Sequence, residues 1–136
     1  MKLKIVVFED RDNILDIISI TLKSRGYEVL GYKEPTLCPL YSDTTCLCPS
    51  EKPCADILIT DNGMPNMTGL QFIYQQSKRG CKGVFKNKAI MSGAWEPEDL
   101  EFAESLGCKI FHKPVPMKDL FDWIKECEKR ISEERW

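Results

Sequence analysis

Apolar and polar positions along this chain fall into short blocks that switch period. Residues 3–8 form an apolar, β-branched run (Leu3, Ile5, Val6, Val7, Phe8) that stops abruptly at Glu9 and Asp10. Such a run predicts a strand buried on both faces of a parallel sheet. Beyond it, Ile14, Leu15, Ile17, Ile18 and Leu22 recur at helical spacing, with Asp12 placed to cap the helix and Gly26 placed to end it. Residues 28–33 predict a short second strand, and residues 56–60 a third that again ends in an acid, Asp61. A turn-rich stretch from Gly63 to Gly69 leads to a helix over 70–79, closed by Gly80. Residues 88–92 predict a fourth strand, Pro97 suits the first turn of a helix that Gly107 ends, and residues 109–112 predict a fifth strand. The last helix starts near Met117 and carries Leu120, Phe121, Ile124, Cys127 and Ile131 on one face.

Strands alternating with helices imply right-handed crossovers and a parallel sheet covered on both sides. The expected fold is a flavodoxin-like, doubly wound α/β sheet of five strands in the order 2-1-3-4-5. With 136 residues, one domain spanning 1–136 is expected.

One segment breaks the pattern. Residues 35–54 stand where a helix is due, but they contain Pro35, Pro39, Pro49 and Pro53. At about 3 kcal/mol per interior proline, a regular helix through the segment is excluded, and an irregular loop is expected.

Charge changes the picture little. Charged residues make up 29% of the chain, with a formal net charge of −2, which favours neither nucleic acid nor an anionic membrane surface. Lys78, Arg79, Lys82, Lys86 and Lys88 form one basic stretch, expected to be a solvated loop and helix end. No apolar run approaches the roughly 20 residues of a membrane span, and acid follows the first strand too soon for a signal peptide. A cytoplasmic location is expected.

In an open parallel sheet, ligands bind beyond the carboxyl ends of the strands. The polar residues ending the runs are Glu9 and Asp10, then Asp61, Ser92 and Lys113. Three carboxylates on neighbouring central strands are costly unless a cation compensates them. Hard oxygen ligands with room for water suit Mg²⁺. Asp61 could then act as a nucleophile toward a phosphoryl group, with Ser92 and Lys113 placed to meet its oxygens.

Four blocks carry a resemblance. They are Val7 to Asp12, the run from Ile57 to Leu70 that contains Asp61, Gly63, Met64 and Pro65, then Ile90 to Gly93, and finally His112, Lys113 and Pro114. Together they resemble the signature blocks of the response-regulator receiver family, over the whole chain except the 35–54 segment. The resemblance implies that Asp61 accepts phosphate from the phosphohistidine of a histidine kinase or a phosphotransfer protein. It also implies that Asp10, Asp61 and the Gly63 carbonyl ligate Mg²⁺, with Glu9 acting through a water. Ser92 and Lys113 would engage the phosphoryl group, and Lys113 and Pro114 would share a cis bond. The phosphorylated form would signal to a downstream protein target. Phosphorylation and dephosphorylation would be self-catalysed, a switch rather than an enzyme. Because the last helix runs to Trp136, a stand-alone domain is expected.

Some positions depart from the family pattern. The aromatic residue usually found three before the lysine is replaced by Ile110, and Phe111, shifted by one, should face the other way. Gly93 stands where the family usually has alanine, and the small residues Gly63 and Ala94, at positions that tune phosphate lifetime in the family, leave water's approach open and predict a phosphoform lasting seconds to minutes. Trp95 is expected to be a loop aromatic near the site that reports metal binding by fluorescence.

Seven cysteines are present, four of them (Cys38, Cys46, Cys48, Cys54) in the 35–54 segment at spacings of eight, two and six. Thiolates suit Zn²⁺ or an iron-sulfur cluster, and Cys81 is a further ligand candidate. Packed thiols and redox disulfides remain open, because the usual paired spacing is missing. A redox- or metal-sensing module built on these cysteines is the competing function, and a flavin carrier on the same fold is a weaker one. Cys108 and Cys127 fall in apolar patterns and are expected in the core. His112, the single histidine, is expected to hydrogen-bond at the sheet edge.

Overall fold

The periodicity switch from two to 3.6 is what the chain builds on. The structure, a computed structural model, describes residues 3–33, 55–64, 67–78 and 87–135. In order, the elements are β1 (Lys4–Phe8), α1 (Asp12–Ser24), β2 (Glu28–Tyr32), β3 (Ile57–Asp61), α2 (Gly69–Lys78), β4 (Lys88–Ser92), α3 (Pro97–Ser105), β5 (Lys109–His112) and α4 (Met117–Arg135). The strands form one parallel sheet in the order β2-β1-β3-β4-β5, as expected. Residues 35–54, with Cys38, Cys46, Cys48 and Cys54, lie outside the described residues, as do Arg79, Gly80, Cys81, Lys82 and Lys86.

Strand alternation divides the core in two. Ile5, Val7, Ile57, Ile59, Ala89, Met91 and Phe111 face α1 and α4, packing on Ile18, Leu22, Leu120 and Ile124. Val6, Phe8, Leu58 and Ile90 face the other way and pack on Leu70, Phe72, Ile73 and Ala103. Each fully buried side chain of this size contributes roughly 1.5–3 kcal/mol, so every central strand is fixed in register from both sides. The shift of the β5 aromatic has the consequence expected: Ile110 packs on the α2–α3 side, while Phe111 lies on the other, edge-on to Trp123 at 6.2 Å.

Helix ends follow local chemistry, with one correction. Gly26 and Gly107 take positive φ of 94° and 78° just beyond α1 and α3, conformations glycine adopts at little cost. The expected cap of α1 does not form. The N-cap position is Arg11, without a side-chain cap bond, and Asp12 is instead the first helical residue, its carboxylate 2.8 Å from Lys33 Nζ. Lys88 also departs from expectation. It heads β4 as expected, but at only 3% exposed it is buried rather than part of a solvated basic stretch, and its ammonium reaches the turn at Gly107 and Cys108.

Candidate functional site

Three loops meet beyond the carboxyl ends of β1, β3 and β4, and the turn after β5 closes them in. A cleft of about 530 Å³ is lined there by Asp10, Arg11, Ile14, Asp61, Gly63, Ser92, Gly93, Ala94, Lys113 and Pro114. The residues expected from the strand ends therefore come together: Asp10, Asp61, Gly63, Ser92 and Lys113 line this cleft, and Glu9 adjoins it.

Glu9, Asp10 and Asp61 each offer a carboxylate oxygen, and these oxygens lie within 4.8 Å of one another. Glu9 has no exposed surface and Asp61 only 5%. Burial holds the Glu9 carboxyl above its ordinary range, and the neighbouring Asp61 pushes it further the same way. Lys113 opposes this, with Nζ 3.1 Å from Glu9 Oε2 and 3.2 Å from Asp61 Oδ1. One ammonium against three close carboxylates leaves negative charge uncompensated, and an oxygen-rich set of this kind fits a hard divalent cation.

The backbone holds these groups in place. Asp61 is the last residue of β3, opposite Met91, and Asn62 N–H donates to the Met91 carbonyl at 2.9 Å. Gly63 N–H donates to Asp61 Oδ1 at 3.3 Å, which turns that carboxylate into the cleft. Lys113 N–H donates to the Ser92 carbonyl at 2.9 Å, so β4 and β5 deliver Ser92 and Lys113 together. Ser92 Oγ accepts from Ala94 N–H at 3.2 Å, leaving its proton to donate elsewhere. Lys113 and Pro114 share the expected cis peptide bond.

Some contributors escape a reading of strand ends. Thr68 and Gln71 form a reciprocal cap on α2: Gln71 N–H donates to Thr68 Oγ1 at 3.1 Å, and Thr68 N–H to Gln71 Oε1 at 2.8 Å. The Thr-x-x-Gln spacing is a capping box and is present in the sequence. Asn62 Oδ1 accepts from Leu70 N–H at 3.1 Å, tying the loop after Asp61 to the same helix. Gly69 is required by close approach, since a Cβ there would stand 2.8 Å from the Asp61 carbonyl oxygen and 2.8 Å from Thr60 Cγ2. On the opposite side, a mainly apolar cavity of about 240 Å³ lies between α1 and the start of α4, lined by Ile14, Ile18, Met91, Pro114, Met117 and Leu120 among others. Trp95 lies in the loop after β4, half-buried, packing on the α2–α3 core while its indole N–H donates to the Phe111 carbonyl at 3.1 Å. His112 is exposed at the end of β5.

Solved structures share this architecture. A CheY-like response-regulator receiver domain protein from Methanospirillum hungatei JF-1 superposes with a TM-score of 0.79 over 98% of this chain and 99% of its own, at 23% identity. This is the receiver fold. A response-regulator receiver domain protein from Clostridium thermocellum matches at TM-score 0.73 and 24% identity over 94% of this chain and 95% of its own. The chemotaxis protein CheY4 of Vibrio cholerae matches at 0.71 and 21% identity over 93% and 99%. No protein-family model matches the chain, and neither does any curated protein sequence. At these identities the likeness concerns the receiver fold, and the chemistry has to be argued from the cleft. Among the described residues, no helix is long and apolar enough to cross a membrane.

Proposed function

We propose that residues 1–136 act as a single receiver domain in two-component signal transduction, taking a phosphoryl group onto Asp61 and passing the change to a protein partner. The observation that carries this is the pairing of the Asp61 carboxylate with Lys113 inside a cluster of three carboxylates at the open end of the sheet. An Asp61 oxygen attacks phosphorus. The bond from phosphorus to the donor, a histidine nitrogen of a kinase or phosphotransfer protein, breaks with its electron pair staying on the imidazole, and an acyl phosphate forms on Asp61. Lys113 and the Ser92 hydroxyl meet the phosphoryl oxygens as charge shifts onto them. Hydrolysis returns Asp61 and phosphate, so the protein is a self-resetting switch rather than a turnover enzyme.

Glu9, Asp10, Asp61 and the Gly63 carbonyl would hold Mg²⁺, Glu9 through a water. The bound cation would neutralise the carboxylates and draw negative charge from the phosphoryl group. The fit rests on the charge left over among Glu9, Asp10 and Asp61 and on their all-oxygen donors.

Intact mass spectrometry after incubation with acetyl phosphate tests this. The expected result is a single phosphoryl adduct that requires Mg²⁺ and is lost in Asp61→Asn. An adduct that persists in Asp61→Asn, or none in wild type under any divalent cation, would overturn it.

A further inference from the structure

Arg11 stands where local physics argues against arginine. It is the N-cap residue of α1, with extended φ of −88° and ψ of 114°, and makes no side-chain cap bond. Asn, Asp, Ser and Thr stabilise that position through such a bond, and the partial positive charge of a helix N-terminus repels a cation. A residue that breaks a local rule needs a reason elsewhere in the structure.

The reason lies in front of it. Arg11 lines the cleft that holds Asp10, Asp61, Ser92 and Lys113, and its own N–H donates to Glu9 Oε1 at 3.3 Å, fixing its backbone beside the buried carboxylate. Lys113 is the only other basic residue lining that cleft among the described residues, and it is engaged by Glu9 and Asp61. Among the described residues the Arg11 guanidinium makes no ion pair. The charges of Glu9, Asp10 and Asp61 are balanced by Lys113 and one divalent cation together. An arriving phosphoryl group then brings up to two further negative charges, and the groups inside the cleft that meet its oxygens, Lys113 and the Ser92 hydroxyl, add no positive charge that the carboxylates have not already engaged. A planar, always-charged guanidinium matches phosphoryl oxygens in a forked geometry that a lysine cannot reproduce.

We propose that Arg11 is a donor-binding residue for the phosphorylation of Asp61, receiving the non-bridging oxygens of the incoming phosphoryl group at the mouth of the cleft and favouring dianionic donors. This rests on Asp61 being the acceptor. Arg11 is exposed, so its contribution is that of a solvent-facing charged hydrogen bond, about tenfold in the second-order rate constant of phosphorylation.

The test compares Arg11→Asn and Arg11→Lys with wild type, in Mg²⁺ buffer, using acetyl phosphate (a dianion) and phosphoramidate (a monoanion). For Arg11→Asn, the second-order rate constant of phosphorylation by acetyl phosphate should fall about tenfold, mostly through weaker donor binding rather than a lower rate at saturating donor, and by less with phosphoramidate. Arg11→Lys should lie between. Because asparagine is a good N-cap, the Tm of Arg11→Asn should rise while phosphorylation slows, a split that a merely structural role would not produce. Equal kinetics for wild type and Arg11→Asn, or equal losses with both donors, overturn the proposal for Arg11 alone. A wild type that takes no phosphoryl group from either donor overturns the acceptor reading and this proposal with it.

Discussion

Lys113 holds its ammonium 3.1 Å from Oε2 of Glu9, a carboxylate with no exposed surface. That contact offsets part of the repulsion between Glu9 and Asp61, and the Lys113 side chain, 20% exposed, is itself only partly desolvated. Lys113→Met should therefore destabilise the metal-free protein by about 2 kcal/mol, below the full cost of breaking a deeply buried pair. Asp61→Asn removes a like charge instead and should raise the metal-free Tm. Urea melts with and without Mg²⁺ check both: the Lys113→Met deficit should shrink when Mg²⁺ is added. A deficit that does not change with Mg²⁺ would show that Lys113 acts through packing alone.

The approach of α2 to β3 leaves no room for one methyl group. A Cβ on Gly69 would lie 2.8 Å from the Asp61 carbonyl oxygen, an atom that cannot swing aside like a side-chain tip. Gly69→Ala should cost about 2 kcal/mol by overpacking and should displace Asp61 as well. The expected result is a lower urea midpoint together with slower phosphorylation. Wild-type stability in this variant would refute the close contact.

Gly63 presents the opposite case. A Cβ there meets nothing within 4 Å, and its φ is not among the positive ones. Gly63→Ala should change stability by less than about 0.5 kcal/mol. A longer side chain, as in Gly63→Gln, should cover the cleft, exclude water and lengthen the phosphoform lifetime several-fold. Decay of the Asp61 adduct after removal of donor measures this, and an unchanged or shorter lifetime counts against an open approach for water.

Two thiols carry a pH signature. Burial pushes Cys127 up to about 12 and Cys108 up to about 11, opposed by Arg130 and Lys88 respectively. Both values lie above the ordinary 9.0, so the folded state holds these protons longer than the unfolded chain does. Their contribution to stability is complete below about pH 9 and is lost as pH rises toward 11 and 12. Native alkylation at pH 8 should leave both residues unmodified in a peptide map, and Cys127→Ala should flatten the alkaline fall in Tm.

The carboxylate cleft was legible because its residues lie at the ends of apolar runs, where a change from buried strand to acid, hydroxyl or lysine is visible locally. Glu9, Asp10, Asp61, Ser92 and Lys113 are all such ends. The errors share a different origin. Asp12 was expected to cap α1 because it is the best capping type nearby, but the helix begins one residue earlier, with the backbone turn at Arg11. Lys88 sits next to a charge run, and only β4 pairing beside Gly107 and Cys108 puts it inside. Trp95 is a loop aromatic as expected, and what the sequence does not carry is its partner, the Phe111 carbonyl, sixteen residues away on β5. The four cysteines of the 35–54 segment lie outside the described residues.

The tight seat of Gly69 against β3 has a mechanical meaning. On the α2 side, Asp61's own backbone is in contact with a helix that has no slack, while across the sheet the cavity beside Met91 and Pro114 leaves about 240 Å³ unfilled. Among the described residues, a shift of the Asp61 backbone is therefore stopped on the α2 side, while the sheet has room to yield toward α1 and the head of α4, a ratchet-like asymmetry built into the packing.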